Sequence, residues 1–313
     1  MPAIGPEDPR QVPRFAGAQT FARLPRRDEV ERSDVAILGV PFDSGATFRT
    51  GARFGPIGVR AGSRLLRGYH PILDVQPFAD QQVVDAGDVG CNPFDIDEAL
   101  GQIEAAAGEV LAGSRLLAIG GDHTITLPLL RAVKKKHGPV ALIHFDAHLD
   151  TWDTYFGVAT THGTTFRRAA EERLLLPDRC THVGIRGPLF TRQDMADDAG
   201  FGFETITALE ASSAPPREIA ARAVERAGQA PTYVSVDIDV LDPAFAPGTG
   251  TPEPGGLMTR ELLALLRGLA GIDIVAADHV EVSPAFDHAE MTAIAAAQVV
   301  YELLALFACR GRK

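Results

Sequence analysis

The chain has 313 residues, 45% of them hydrophobic and 23% charged, with a formal net charge of −11; this is the composition of a globular α/β protein of one large domain or two small ones. The acidic balance argues against nonspecific nucleic-acid binding and mildly favours small cationic ligands. Three cysteines far apart in sequence, Cys91, Cys180 and Cys309, exclude a disulfide framework or a zinc ribbon and read as buried free thiols, no apolar run approaches the about 20 residues that span a bilayer, and the start MPAIGPEDPR lacks a basic region followed by an apolar one, so a cytoplasmic protein is expected.

Residues 1–33 are rich in proline, arginine and acidic residues without periodicity and read as an arm lying over the surface or over a neighbouring subunit; residues 34–313 then read as one catalytic domain. The first buried-strand pattern is DVAILGV at 34–40, followed by the Gly-rich loop PFDSGATFRTGARFGP and a helix from about Pro56. That loop has no GxxxxGK signature and is not a phosphate-binding loop. A short strand is predicted over 82–88, a helix over 95–111, and an apolar strand over 115–119 that runs into Gly120, Gly121, Asp122 and His123. A helix over 124–136 carries Lys134, Lys135 and Lys136 in its last turn, where cations complement the helix dipole.

Val140 to Asp150, VALIHFDAHLD, begins as an unbroken apolar strand and ends in Asp146, His148 and Asp150. In an extended chain these alternate positions share a side. A loop containing His162 follows, then a helix over 166–175, a strand over 180–185 and helices over 194–199 and 217–228. YVSVDIDV at 233–240 repeats the theme, an apolar strand ending in Asp237 and Asp239. A Pro- and Gly-dense loop, a helix over 262–269, a strand over 274–282 containing Glu281 and a long apolar helix over 291–308 complete the chain. About eight strands alternating with helices, with no long polar linker, predict a single doubly wound α/β domain on a mostly parallel sheet.

In a parallel sheet the carboxyl ends of all strands share one edge, so His123, Asp146, His148, Asp150, Asp237 and Asp239 can meet there. Four clustered carboxylates need counter-charge, because desolvating each costs several kcal/mol or more. Two divalent ions neutralise them, whereas one leaves a residual charge of about −2. Oxygen ligands with two imidazoles and no thiolate suit Mn²⁺, with nickel, cobalt or iron as alternatives. The competing reading of a lone DxHxD is a solvated Asp/His turn. His144, inside its strand, reads as a core histidine, and His70, His137, His182, His279 and His288 as structural or surface residues. Asp122 suits a helix N-terminus, and Asp85 and Asp88 have no histidine beside them.

GGDH at 120–123, DAHLD at 146–150 and SVDIDVLDPAFAPGTGTPEPGG at 235–256 closely resemble the ureohydrolases, the arginase and agmatinase family, with further similarity at GARFGP, HGTTFRRA and VEVSP. The resemblance implies a three-layer arginase-type α/β/α fold with a binuclear manganese site, in which His123, Asp146, Asp150 and Asp237 bind one ion and Asp146, His148, Asp237 and Asp239 the other. It implies that Glu281 holds a small cationic guanidine, that Asp150 orients the nucleophile and passes its proton on, that His162 shuttles protons, and that Thr251 lies near the nucleophile. A homotrimer or homohexamer is also implied. The segment after the central motif has Trp152, Asp153, Tyr155 and Phe156 where arginases carry small polar residues, so it resembles agmatinases more. Agmatine, cleaved to urea and putrescine with Asp153 near the distal ammonium, is the leading expectation. A guanidino-acid hydrolase, with Arg49 or Arg53 meeting the carboxylate, is the rival, and a non-catalytic metal-binding subunit the reading from another class.

Overall fold

The structure, a computed structural model, describes residues 3–309. Its strands are β1 (Val35–Val40), β2 (Val83–Asp88), β3 (Arg115–Gly120), β4 (Val140–Phe145), β5 (Leu175–Ile185), β6 (Phe203–Thr207), β7 (Thr232–Asp237) and β8 (Ile274–Val280). They form one sheet in the order β2-β1-β3-β8-β7-β4-β5-β6, and every neighbouring pair is parallel. The central strands are buried along nearly their whole length, which is why they read as continuous apolar runs without alternation.

Helices cover both faces. On one side α2 (Ile96–Leu111), α3 (Thr126–His137) and α4 (Thr165–Glu171) pack Ile103, Leu130 and Phe166 against the sheet. On the other, α1 (Gly55–Gly62), α7 (Pro216–Ala227), α8 (Thr259–Arg267) and α9 (Met291–Ala308) contribute Val59, Ile219, Leu262 and Leu303 to a second core. Two shorter helices, α5 (Arg192–Gly200) and α6 (Ala208–Ser213), flank β6. Helix α9 has a mean hydropathy of 1.7, but 78% of it is buried inside the protein, so its apolar surface is core packing. The segment before β1 joins the same core: Phe21 and Leu24 are buried, and the Phe21 N–H donates to Asp85 Oδ2 over 2.7 Å. Arg60 holds Asp85 at 2.8 Å and Asp88 at 2.6 Å, so these two carboxylates tie the arm and α1 to the sheet.

Among the differences between the predicted elements and the structure, three are instructive. The helix predicted over 166–175 stops at Glu171, because Leu174 and Leu175 are sheet-core residues and Arg173 turns the chain through a left-handed φ of 54°. β7 ends at Asp237, and Ile238–Val240 is a 3₁₀ turn that the Asp237 carboxylate caps by accepting the Asp239 N–H at 2.7 Å. Edge strand β6, FETIT, has only two buried residues, and its mixed polarity hides it from a search for apolar runs.

Candidate metal centre and substrate cavity

The four strands that deliver ligand-type residues, β3, β8, β7 and β4, are consecutive in the sheet. Their carboxyl ends point His123, Glu281, Asp237 and Asp146 into one crevice, and the order of connection reverses here, since β3 is followed in sequence by β4 three positions away. This is where doubly wound sheets place their sites. Strand alternation does not produce the convergence within the DAHLD motif. β4 ends at Phe145, and beyond it the chain folds into a turn: His148 N–H donates to Asp146 Oδ1 at 2.6 Å and Asp150 takes a φ of 54°. The motif works as a wound-up loop in which the first aspartate organises the backbone that presents the other two.

His123 Nδ1 lies 3.1 Å from Asp146 Oδ2, 3.0 Å from Asp150 Oδ2 and 3.3 Å from Asp237 Oδ2. His148 Nδ1 lies 3.2 Å from Asp239 Oδ2 and 3.4 Å from Asp146 Oδ1. Two donor sets therefore adjoin, each offering one imidazole nitrogen, with Asp146 common to both. One proton of His123 follows from its partners. Asp278 Oδ1 accepts the Ser235 hydroxyl proton over 2.6 Å, so Ser235 Oγ must accept from His123 Nε2 at 2.9 Å. The buried Nδ1, which has no hydrogen-bond partner, faces three carboxylates; burial opposes a charge on the ring, but Asp146, Asp150 and Asp237 raise it well above its usual value. A cation is the species such a donor set fits, and the cluster suits a binuclear metal site.

The electrostatics agree. Burial, followed by repulsion from Asp239 and Asp146, pushes the Asp237 carboxyl well above the usual range. Burial and Asp146 likewise raise Asp239 and Asp150. The side chains alone cannot hold all these carboxylates ionised. Burial pushes the His144 ring down to about 3, opposing a charge on it while Nε2 meets Asp146 Oδ2 at 2.8 Å. Asp122 caps the turn after β3, accepting from Thr124 N–H at 2.9 Å and Gly45 N–H at 2.8 Å; burial and Glu281 push its carboxyl up to about 7. In the preceding GG pair, a Cβ on Gly121 would stand 1.9 Å from the Phe42 carbonyl, so only glycine lets the loops after β1 and β3 approach.

Glu281 is buried and takes a left-handed φ of 66°, a strain that persists at functional positions. Its Oε1 accepts from His123 N–H at 2.9 Å and lies 2.8 Å from His162 Nδ1, while Oε2 has no partner. Burial opposes the charge on His162, but Glu281, Asp150 and Asp122 raise it to about 9. Its Nε2 lies 2.7 Å from Thr47 Oγ1.

The cavity over this cluster is lined by His148, Asp150, His162, Asp237 and Thr251 at the polar end and by Leu149, Trp152, Pro188 and Leu189 elsewhere. Thr251 Oγ1 lies 3.4 Å from Asp239 Oδ2. Trp152 stacks on Tyr155 with ring centroids 5.5 Å apart and tilts against Phe190 at 4.9 Å. A Cβ on Gly163 would meet the indole at 2.9 Å, so that glycine makes room for it. Asp153 does not line the cavity: its carboxylate is 2.9 Å from Arg168 and 3.4 Å from Arg167 on the exposed side. Phe156 is 91% exposed and does not line it either. Thr47 and Leu189, which line the cavity, and Phe190, which packs on Trp152, are not legible from sequence, because no motif marks them and they arrive on loops distant in the chain.

An eight-stranded parallel sheet carrying at its switch point a His/Asp cluster suited to a binuclear metal site is the arrangement expected of a ureohydrolase. The chain belongs to the arginase family, whose sequence profile matches residues 33–306. It is 46% identical to the guanidinopropionase of Pseudomonas aeruginosa, over 97% of this chain and 96% of that one, and 43% identical to putative agmatinase 1 of Schizosaccharomyces pombe, over 93% and 82%. The structure is similar to that of proclavaminate amidino hydrolase from Streptomyces clavuligerus, with a TM-score of 0.91, 42% identity and coverage of 95% and 99%. The expected fold and enzyme class are thereby established.

Proposed function

We propose that this protein hydrolyses the guanidinium group of a short linear guanidino acid, releasing urea and an amine, with Mn²⁺ as the metal at both positions. His123, Asp146, Asp150 and Asp237 would hold one ion and Asp146, His148, Asp237 and Asp239 the other. Two divalent ions held there would supply the Lewis acidity that makes water a nucleophile at neutral pH. Charge balance supports the pair: four aspartates offset two divalent ions, and Glu281, left over, offsets one guanidinium.

Within this reading the free Glu281 Oε2 accepts a guanidinium N–H and holds the planar group over the cluster, converting attack into an oriented unimolecular step. His162, protonated below about pH 9 and hydrogen-bonded to that same carboxylate, delivers a proton to the departing amine. Asp150 takes the proton lost by the attacking water, and Thr251 steadies Asp239. Leu149, Trp152, Pro188 and Leu189 pack the methylene chain.

The observation that carries the acid over the amine is Arg49. Its guanidinium lies between Phe48 and Phe286, 5.4 and 4.9 Å from their ring centroids, and among the described residues no carboxylate pairs with it. Arg53, by contrast, is engaged by buried Asp43. Arg49 does not itself line the cavity but sits two residues from Thr47, which does, with its carbonyl against Gly250. Agmatine is the second reading, supported by the acidic net charge and by the relative named putative agmatinase; Asp153, its expected ammonium partner, is held by Arg167 and Arg168. The test is kcat/KM for urea release from 4-guanidinobutyrate, 3-guanidinopropionate, agmatine and arginine, in the wild type and in Arg49→Gln. The substitution should depress the acids about tenfold or more and spare agmatine, since it removes one charged hydrogen bond. Agmatine as the preferred substrate, or acids indifferent to Arg49, would reverse the assignment, and no urea from any of them with metal loaded would refute the enzyme reading.

A further inference from the structure

Arg186 directly follows β5 and is half-buried beside the donor set built around His148 and Asp239. Among the described residues every hydrogen bond of its side chain ends on a main-chain carbonyl. Nη2 donates to Asp239 O over 2.6 Å and to Glu253 O over 2.7 Å. Nε reaches Glu253 O at 3.1 Å and Pro254 O at 3.3 Å, and Nη1 reaches Val240 O at 3.2 Å. A guanidinium is a rigid planar fork of five N–H groups, so one group joins the turn after β7 to the far end of the loop that follows it. That loop closes where Leu241 and Leu257 pair as an isolated bridge, and it carries Thr251 to the cavity. Arg186 spans its neck. A Cβ on Gly256 would stand 2.6 Å from Nη2 and 2.5 Å from the Asp242 nitrogen, so the glycine there leaves the fork its place.

The backbone of the same residue holds a third segment. Arg186 N–H and Gly187 N–H both donate to Ala147 O at 2.9 Å, between Asp146 and His148, and Ala147 N–H donates to Asp239 Oδ1 at 3.1 Å. On the other side Glu253 Oε1 lies 3.7 Å from His148 Nε2. His148 and Asp239 are the two ligand-type residues that belong to the second donor set alone, and the segments carrying both meet at Arg186. Among the described residues none of its hydrogen bonds reaches the segments of His123 or Asp150, which belong to the first set alone.

We infer that Arg186 is a positioning residue for one of the two metal positions: its guanidinium clips the Asp239 turn to the 253–254 segment and so fixes Asp239 against His148, while the other position forms without it. The inference rests on the proposed two-metal reading. Without the fork, the carbonyls of Asp239 and Glu253 turn to other donors and the neck of the loop loosens. Asp239 keeps the Ala147 N–H but loses its fixed place, and an ion binding there must order the turn itself. Charge and geometry act with opposite sign, which makes them separable. Removing a cation from beside the cluster strengthens the binding of another cation by Coulomb's law, whereas removing a clip weakens it.

The test is graded chelation of the Mn²⁺-loaded wild type, Arg186→Met and Arg186→Lys, followed by metal analysis and by EPR, which separates an isolated Mn²⁺ from a spin-coupled pair. Arg186→Met should lose one ion per chain at about tenfold lower chelator excess, the lower end of the range for outer-shell partners of metal ligands. The other ion should stay within about twofold of wild type, so the isolated-ion signal appears where the wild type still shows the pair. Arg186→Lys keeps the charge but cannot fork between the two segments, and the same selective loss is expected; it also serves if Arg186→Met does not fold. Equal weakening at both positions is what a general loss of stability gives, and unchanged or tighter binding of both ions is what a role through charge, or none, gives. Either result overturns the clip. A wild type that holds a single Mn²⁺ per chain overturns the two-metal reading on which it stands.

Discussion

Replacing Glu281 by Gln removes one charge from the site and little else. The side chain keeps its length, and an amide oxygen in the Oε1 position can still accept from His123 N–H, 2.9 Å away, and from His162 Nδ1, 2.8 Å away. Glu281 is not among the groups around His123 Nδ1 or His148 Nδ1, so metal content should be unchanged. What is lost is the ionic hydrogen bond from substrate guanidinium to Oε2, worth roughly 1.5–3 kcal/mol for a charged pair, or about a 10- to 150-fold fall in kcat/KM. A second effect follows through His162. Burial lowers that ring, and Glu281 is the largest influence raising it to about 9. A raised histidine pKa keeps the proton on until pH passes that value, so without Glu281 the proton leaves earlier and the alkaline limb of kcat should move to lower pH. Urea release across the neutral-to-alkaline range with parallel metal analysis checks both. A variant with full metal, kcat/KM close to wild type and an unmoved alkaline limb would refute the assignment of Glu281.

Because burial and mutual repulsion raise Asp237, Asp239 and Asp150, metal binding must displace protons, and affinity should weaken as pH falls; titration calorimetry in buffers of different ionisation enthalpy reads the proton release. Trp152→Ala deletes the ring stacked on Tyr155 and tilted against Phe190 and should raise KM about tenfold at similar kcat, as expected for a group that binds substrate and transition state alike. Tyr233→Phe removes the hydroxyl that donates to buried Asp278 at 2.7 Å; with Ser235 and Thr126 still donating, the cost should be about 1 kcal/mol, seen as a lower denaturation midpoint. The trimer or hexamer implied by the family resemblance predicts three or six times the 33.3 kDa chain mass in light scattering.

Residue identity alone carried the chemistry and the layering. Unbroken apolar runs at β1, β3, β4, β7 and β8 marked strands buried on both faces, and the ligand-type residues just past three of them come together in a His/Asp cluster suited to a binuclear metal site, because every parallel strand delivers its carboxyl end to one edge. Asp122 caps the turn after β3, as its place before a helix indicated, whereas the Arg60 partner of Asp85 and Asp88 comes from α1. Tertiary structure decided what depends on contacts between distant segments. Asp146, His148 and Asp150 converge through a capped turn, although alternation along a strand was the reason for expecting them together. Asp153 suited a distal ammonium as a residue type, yet Arg167 and Arg168 on α4 hold it on the exposed side. His144 and His182 are 38 positions apart and carry no mutual signal in sequence; the register of β4 on β5 makes them neighbours. Strand order and loop packing set which carboxylate is paired and which is free, and local pattern cannot encode that because the partners arrive from elsewhere in the chain.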